Sequence, residues 1–478
     1  MLFNSSAFLF VFLPLALAGF YGLRRYRLWS AAQVWLLLAS LSFYAVWDVR
    51  YLPLLLSSML INYGIGQRLE HAGSKTLLTL GIVFNLALIG YFKYADFFIA
   101  NINTLSGGSI AFLSLALPIG ISFFTFQQIA YLVDRYNAQP CTPRGFIDYG
   151  NFVAFFPQLI AGPIVHHREI APQFNALAVG RRVQAAQIAT GLFIFSIGLF
   201  KKVVIADNLV AWVDPVFADA HGAGFFDAWV AALAYTLQLY FDFSGYCDMA
   251  IGLALLFGID LPVNFASPYR ALSITDFWRR WHITLGRFLR DYIYIPLGGS
   301  RVGPKRLAAA LLATMLLGGL WHGAAWTFVL WGLLHGAYLV VHRLWMTLGV
   351  ALPKPIAWAL TFLAVMFAWV MFRAQSPMDA IALWSTMLGG DGASLPSSLH
   401  TMLGWLGDTV QWRAPLYASG IEIFVLIPLL YCVVSQPNAD ELRRRFEPTS
   451  RAGWAVIALA CVAVANLGQE TVFIYFQF

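Results

Sequence analysis

The sequence predicts an all-α, polytopic integral membrane protein with about eleven transmembrane helices, plus re-entrant and interfacial pieces, in a single helical domain over residues 1–478. Three observations carry that expectation. Only 11% of the 478 residues are charged and 60% are hydrophobic, whereas soluble domains carry about a quarter charged residues. Apolar runs of about twenty residues recur from end to end, the length a helix needs to cross a bilayer core. Aromatic side chains reach 16%, with 17 Trp and 20 Tyr, as expected where rings anchor at both membrane interfaces.

Spans are expected at 7–23, 30–47, 51–67, 76–92, 111–133, 184–206, 228–256, 307–341, 355–373, 420–436 and 453–475. The first lacks the leading positive charge of a signal peptide. Its arginines, Arg24, Arg25 and Arg27, follow the apolar run, so it reads as a retained span with its N-terminus outside, an orientation that suits a bacterial inner membrane. The stretch 307–341 is long enough for two short helices broken near Gly318 and Gly319. Segment 147–165 is apolar but interrupted by Pro157, Gly162 and Pro163. It reads as re-entrant, because irregular backbone at membrane depth must be buried in protein or line a cavity.

Loop charges assign the sides. The net charge of +7 sits in short loops between apolar runs, a positive-inside bias rather than a nucleic-acid surface. After Lys202 a loop is expected with Asp207, Asp214, Asp219 and Asp227 and no basic residue, and it reads as outside, as does 374–419. Loop 437–452, with Arg443, Arg444, Arg445 and Arg451, reads as inside. Of the four cysteines, Cys141, Cys247, Cys432 and Cys461, none forms a CxxC pair, and no thiol chemistry is implied.

Three places bear chemistry. Residues 270–306 hold eight of the thirty Lys and Arg. On a helical wheel, 276–292 puts Asp276, Arg279, Arg280, Arg287, Arg290 and Asp291 on one face and Trp278, Trp281, Leu285, Phe288, Leu289 and Tyr292 on the other. That pattern predicts one amphipathic helix in an interface, with His282 at the edge of its apolar face. Two readings stay open: a surface anchor with a packed His282, or a site for a phosphorylated donor held by Arg279, Arg280 and Arg287. The second place is 318–338, where His322 lies in an apolar run among Gly318, Gly319, Gly323, Ala324 and Ala325. An ionisable residue at membrane depth is costly and marks function by default, and small neighbours leave room for a substrate or a second backbone. His335, thirteen residues on, reads mainly as a packing residue bonded to a carbonyl. In the third place, 238–252, Asp242 and Asp248 must pair, protonate or face water; they either support a histidine or an arginine or form a structural ion pair. No Walker loop, HExxH or GxSxG occurs. His166 and His167 have no partner at metal-ligand spacing, so no metal is expected.

Taken together, LPIGISFFTFQQIAYLVD (117–134), FFPQLIAGPIVHHREI (155–170), YFDFSGYCDMAIG (240–252), DFWRRWHITLGRFLRDYIYIPLGGSR (276–301), GGLWHGAAWTFVLWGLLHG (318–336) and the two chain ends resemble the membrane-bound O-acyltransferase (MBOAT) family, in its bacterial alginate O-acetylase branch. The resemblance implies a ring of helices around a central tunnel and two histidines tied to activity, which fall here on His282 and His322, the latter beside Trp321. It implies transfer of an acetyl group from a cytoplasmic thioester such as acetyl-CoA to an exported polysaccharide: alginate or a related exopolysaccharide, with peptidoglycan and cellulose as alternatives. It also implies a separate periplasmic acetyltransferase partner. No bound cofactor is needed, since the thioester is already activated, and histidine supplies a general base near neutral pH. The competing classes are a polysaccharide or lipid-precursor transporter, which would be expected to show repeats, and a scaffold of a secretion complex.

Overall fold

The structure is a computed structural model that describes residues 1–137, 145–390, 392–468 and 473–474, without the side chains of residues 72 and 408. Cys141 and most of the chain's last ten residues lie outside the described residues. The chain is helical nearly throughout. Among the described residues the only strands are a short parallel pair, Ser394–Pro396 with Gln411–Arg413, inside the loop expected to face outside.

Among the described residues six helices are long and apolar enough to cross a membrane: Phe8–Arg25, Lys75–Ser106, Ala185–Ala218, Phe225–Leu256, Trp326–Thr347 and Lys354–Arg373. Ile423–Ser435 and Ala439–Arg445, bent by 53°, make a seventh if they are taken as one broken span. Expected spans 30–47 and 453–475 fall on shorter apolar helices, Trp29–Ala45 and Ser450–Ala465, and expected span 51–67 on helix Leu52–Ala72. Expected span 111–133 becomes helical only at Ile121–Tyr136, and residues 109–118 have no regular structure.

By contacts the chain forms two compact units. One holds Met1–Phe200, Gly245–Asn264 and Arg443–Gln477; the other holds Lys201–Ser244 and Phe265–Leu442. In the first unit, segment 147–165 breaks where its prolines predict. Helix Phe146–Ala154 stops at Phe155, and a short helix, Phe156–Leu159, restarts on Pro157. The broken backbone is paid back locally: the Phe156 amide donates to Ser40 Oγ at 3.1 Å and Gln158 Nε2 donates to the Phe152 carbonyl at 2.6 Å. Also in this unit, a Cβ on Gly198 would stand 2.5 Å from the Gly245 carbonyl oxygen, and one on Gly191 2.8 Å from that of Gly252. Small residues here let two helix backbones meet.

The second unit carries the elements that position the site. They are α1 (Phe225–Leu256, continuing into the first unit at Gly245), α2 (Ile274–Trp278), α3 (Ile283–Leu289), α4 (Pro304–His322), α5 (Trp326–Thr347) and α6 (Lys354–Arg373). The expected break at Gly318 and Gly319 falls instead at residues 323–325. The glycines serve packing: a Cβ on Gly319 would lie 2.2 Å from the Phe328 carbonyl oxygen, and one on Gly332 2.3 Å from that of Met315. The contacts Gly323–Phe328, Gly319–Gly332 and Leu312–Gly336 run in opposite directions, so α4 and α5 form a tight antiparallel hairpin.

Most of the loop expected after Lys202 is helix. Residues 185–218 are one helical run, with a wide-turn segment at Lys201–Ala206, so Asp207 and Asp214 are helical and the loop begins after Ala218. The helix continues because its charges are neutralised internally. Lys202 Nζ lies 2.7 Å from Asp207 Oδ1 and 2.6 Å from Asp242 Oδ1, all three buried. Asp214 pairs with Arg373 at 2.7 Å. The short loop that remains and the first turn of α1 are tied to the other loop read as outside: Tyr417 Oη donates to Asp219 at 2.6 Å and the Ala418 amide to Asp227 at 2.8 Å. Arg443, in helix Ala439–Arg445 where a loop was expected, pairs with Asp260 at 2.8 Å.

Candidate active site

The expected amphipathic helix over 276–292 is not continuous. The chain turns after α2, and α3 begins after His282, whose φ of 45° places it in the left-handed region. An L-residue there costs about 1–2 kcal/mol, so the surroundings must hold it. They do so through the backbone. The Ala266 amide donates to the Arg280 carbonyl at 2.9 Å, and the His282 carbonyl accepts from the Gly286 amide at 2.9 Å to start α3. The wheel assumed one uninterrupted helix and fails at this break. The division into wet and dry sides survives it. Trp281, Leu285, Phe288 and Leu289 are buried, while Arg279 and Arg290 are exposed.

The turn drives His282 inward rather than leaving it at an edge, and it is fully buried. Its ring stands 4.8 Å from Phe243 of α1 and 6.0 Å from Trp321 of α4, centroid to centroid. His282 lies outside the six spans. Burial pushes its pKa down to about 3, so the ring is neutral at physiological pH.

His322 is the last residue of α4. Only 4% exposed, it lies 6.4 Å from His282, ring centroid to ring centroid. Its other neighbours are aromatic: Trp321 at 5.0 Å, Trp331 of α5 at 5.1 Å and edge-on, and Phe372 of α6 at 5.3 Å. The two histidines singled out in the sequence are forty residues apart and meet in one buried aromatic chamber. Of the two uses expected of the small residues near His322, Gly319 serves the second, the close approach of another backbone, and the neighbouring glycines are filled by side chains. Phe328 fills the position a Cβ on Gly323 would take, at 2.1 Å, and Leu289 lies 3.1 Å from that of Gly318.

His335 is close to this pair, which its spacing on one continuous helix would not allow. The reversal at 323–325 brings it back, so that Trp331 stands between, 5.1 Å from His322 and 4.8 Å from His335. Its hydrogen bond is also not to a carbonyl as expected: Trp278 Nε1 donates to His335 Nδ1 at 3.3 Å. Trp331 and Trp369, stacked at 5.6 Å, complete the chamber and were not singled out in the sequence. The signal for Trp331 was its i, i+4 spacing to His335, visible in WTFVLWGLLHG.

Among the other predicted residues, Asp242 belongs to the Lys202 cluster and behaves as a structural ion-pair member. Asp248 is buried in the first unit. Arg280 is partly engaged: its Nε donates to Asp276 at 2.9 Å and a terminal nitrogen to the Ala266 carbonyl at 3.3 Å. Arg279 is exposed and Arg287 half-buried.

Residues 137–378 match the profile of the membrane-bound O-acyltransferase family, MBOAT. A Helicobacter pylori protein named peptidoglycan O-acetyltransferase is 42% identical, over 100% of this chain and 98% of its own length. The chain belongs to the MBOAT family. Further MBOAT-like relatives include an Azotobacter vinelandii protein named "Probable alginate O-acetylase AlgI", 45% identical over 81% of this chain and 78% of its own, and a Bacillus subtilis teichoic acid D-alanyltransferase, 27% identical over 47% of this chain and 58% of its own. This MBOAT protein is a multi-pass inner-membrane O-acyltransferase. All the chamber residues lie inside the matched segment.

Proposed function

We propose that this MBOAT protein moves an acetyl group from a cytoplasmic thioester, such as acetyl-CoA, to the hydroxyl of an exported polysaccharide, alginate or a related exopolysaccharide. One observation carries the reading: two buried histidines from different elements, 6.4 Å apart, within an aromatic chamber. His322 acts as general base on the accepting hydroxyl and then returns the proton to the leaving thiolate, a role typically worth about 10²–10⁴-fold. His282, neutral and held by its strained turn, lines the same reaction path. Arg279, Arg280 and Arg287 hold the donor's phosphates at the cytoplasmic interface, where guanidinium offers paired contacts. Eleven spans around a central tunnel would let the acyl group pass without carrying a charged carrier through lipid. A separate periplasmic acetyltransferase receives the acyl group and completes the transfer.

Peptidoglycan as acceptor is a second reading, favoured by the end-to-end match to the Helicobacter pylori protein. Deleting the gene and measuring ester content together with polymer yield, on exopolysaccharide and on peptidoglycan, separates these readings from transport. Loss of esters on one polymer at unchanged yield supports transfer and names the acceptor. Loss of the polymer itself would point to a transporter.

A further inference from the structure

Two buried nitrogens of α5, Trp331 Nε1 and His335 Nε2, have no hydrogen-bond partner among the described residues. Trp indole only donates, so the bond from Trp278 Nε1 makes His335 Nδ1 an acceptor. The neutral ring therefore carries its proton on Nε2. That nitrogen is buried and has no hydrogen-bond partner among the described residues, and the same holds for Trp331 Nε1. Trp331 is 1% exposed and His335 0%. Buried Trp and His nitrogens are normally bonded, since leaving a donor dry is unfavourable. The two residues sit four apart on α5, hence on one face, with ring centroids 4.8 Å apart. Trp331 also stands edge-on to His322 at 5.1 Å.

We propose that Trp331 Nε1–H and His335 Nε2–H form the oxyanion site of the acyl transfer and bind the carbonyl oxygen of the thioester. The inference rests on the acyltransferase reading above. His322 takes the proton of the accepting hydroxyl, and the hydroxyl oxygen bonds to the acyl carbon. The carbonyl π pair moves onto its oxygen, where the two N–H groups hold the negative charge. On collapse the pair returns, the C–S bond breaks, and the thiolate leaves with the proton from His322. Fixed donors aimed at developing charge in a buried chamber stabilise it without reorganising. Trp278 is a positioning residue: its indole sets the His335 tautomer.

The test uses the purified full chain in lipid vesicles with acetyl-CoA, the periplasmic acetyltransferase partner and an acceptor polysaccharide, following thiol release. Benzothienylalanine at 331 keeps the bicyclic ring and removes only the N–H, while His335→Leu removes the second donor. Each is expected to lower kcat by about 10²–10³-fold with donor KM nearly unchanged, and His335→Gln, which keeps an N–H near Nε2, to recover part of the loss. Wild-type protein is expected to bind a ketone analogue of the donor more tightly than a thioether analogue without the carbonyl oxygen. That comparison needs no variant to fold. Unchanged kcat in both donor-less variants, a change in KM alone, or equal affinity for the two analogues overturns the oxyanion site while leaving the acyltransferase reading intact. A wild-type chain that consumes no thioester overturns both.

Discussion

His322 was legible in the sequence because a histidine in an apolar run needs a reason to be there, whereas His282, at the edge of an apolar face, was marked by the family resemblance. Their chamber was not legible, since a left-handed turn at residue 282 and a reversal at 323–325 leave no mark in a periodicity. His282→Ala is expected to impair acyl transfer strongly at normal protein level, which ester assays with immunoblotting would check. An undiminished ester content would remove His282 from the reaction path. The buried Lys202 cluster was also missed as a unit, because Lys202 and Asp242 are forty residues apart and Lys202 looked like the edge of a loop. Lys202→Met keeps the stem but strands Asp207 and Asp242 as buried carboxylates. Removing one member of such a buried set costs about 3–5 kcal/mol. The detergent-solubilised variant should therefore melt well below wild type, and an equal melting point would mean that the carboxylates are satisfied without the lysine.

Among the elements, the α4–α5 hairpin depends on two backbones approaching where Gly319 meets Phe328 and Gly332 meets Met315. Neither obstacle is a flexible side-chain tip, so Gly319→Ala must push the helices apart. Overpacking of this kind costs about 1–3 kcal/mol, and because His322 is on α4 and His335 on α5, activity should fall together with thermal stability. A variant as stable as wild type would show that the hairpin has slack. The basic segment before and after His282 makes a different prediction. Arg279→Gln with Arg280→Gln should raise the KM for the thioester while leaving protein level unchanged. Arg280 will show the smaller single effect, since Asp276 and the Ala266 carbonyl already engage it. A donor KM indistinguishable from wild type would assign these arginines to lipid anchoring. Here the sequence carried the wet and dry sides correctly but not the helix, because burial alternates similarly on two short helices and on one long one.

At the scale of the whole molecule, composition and span-length runs were enough to predict a helical multi-pass membrane protein. The exact extent of several helices was not, because a buried Lys202–Asp207 pair lets a helix run past charges that normally end it. The sidedness can be checked by cysteine labelling of intact cells. Residues in the loop joined by Asp219, Asp227 and Tyr417 should react from outside, and residues beside Arg443 to Arg445 should not. Labelling of the arginine segment from outside would invert the topology. The role of a periplasmic partner is open to reconstitution, where efficient ester formation by this chain alone would dispense with the relay. The central claim is narrower: a single buried imidazole at the end of α4 performs the proton transfer of O-acylation. It is tested by replacing His322 with Ala in cells that export the acceptor polymer and measuring polymer-bound acetyl ester per unit of polymer. The account predicts a fall of about 10²–10⁴-fold in transfer rate, with protein level, membrane insertion and polymer yield unchanged. Near-normal ester content in the His322→Ala protein would contradict it.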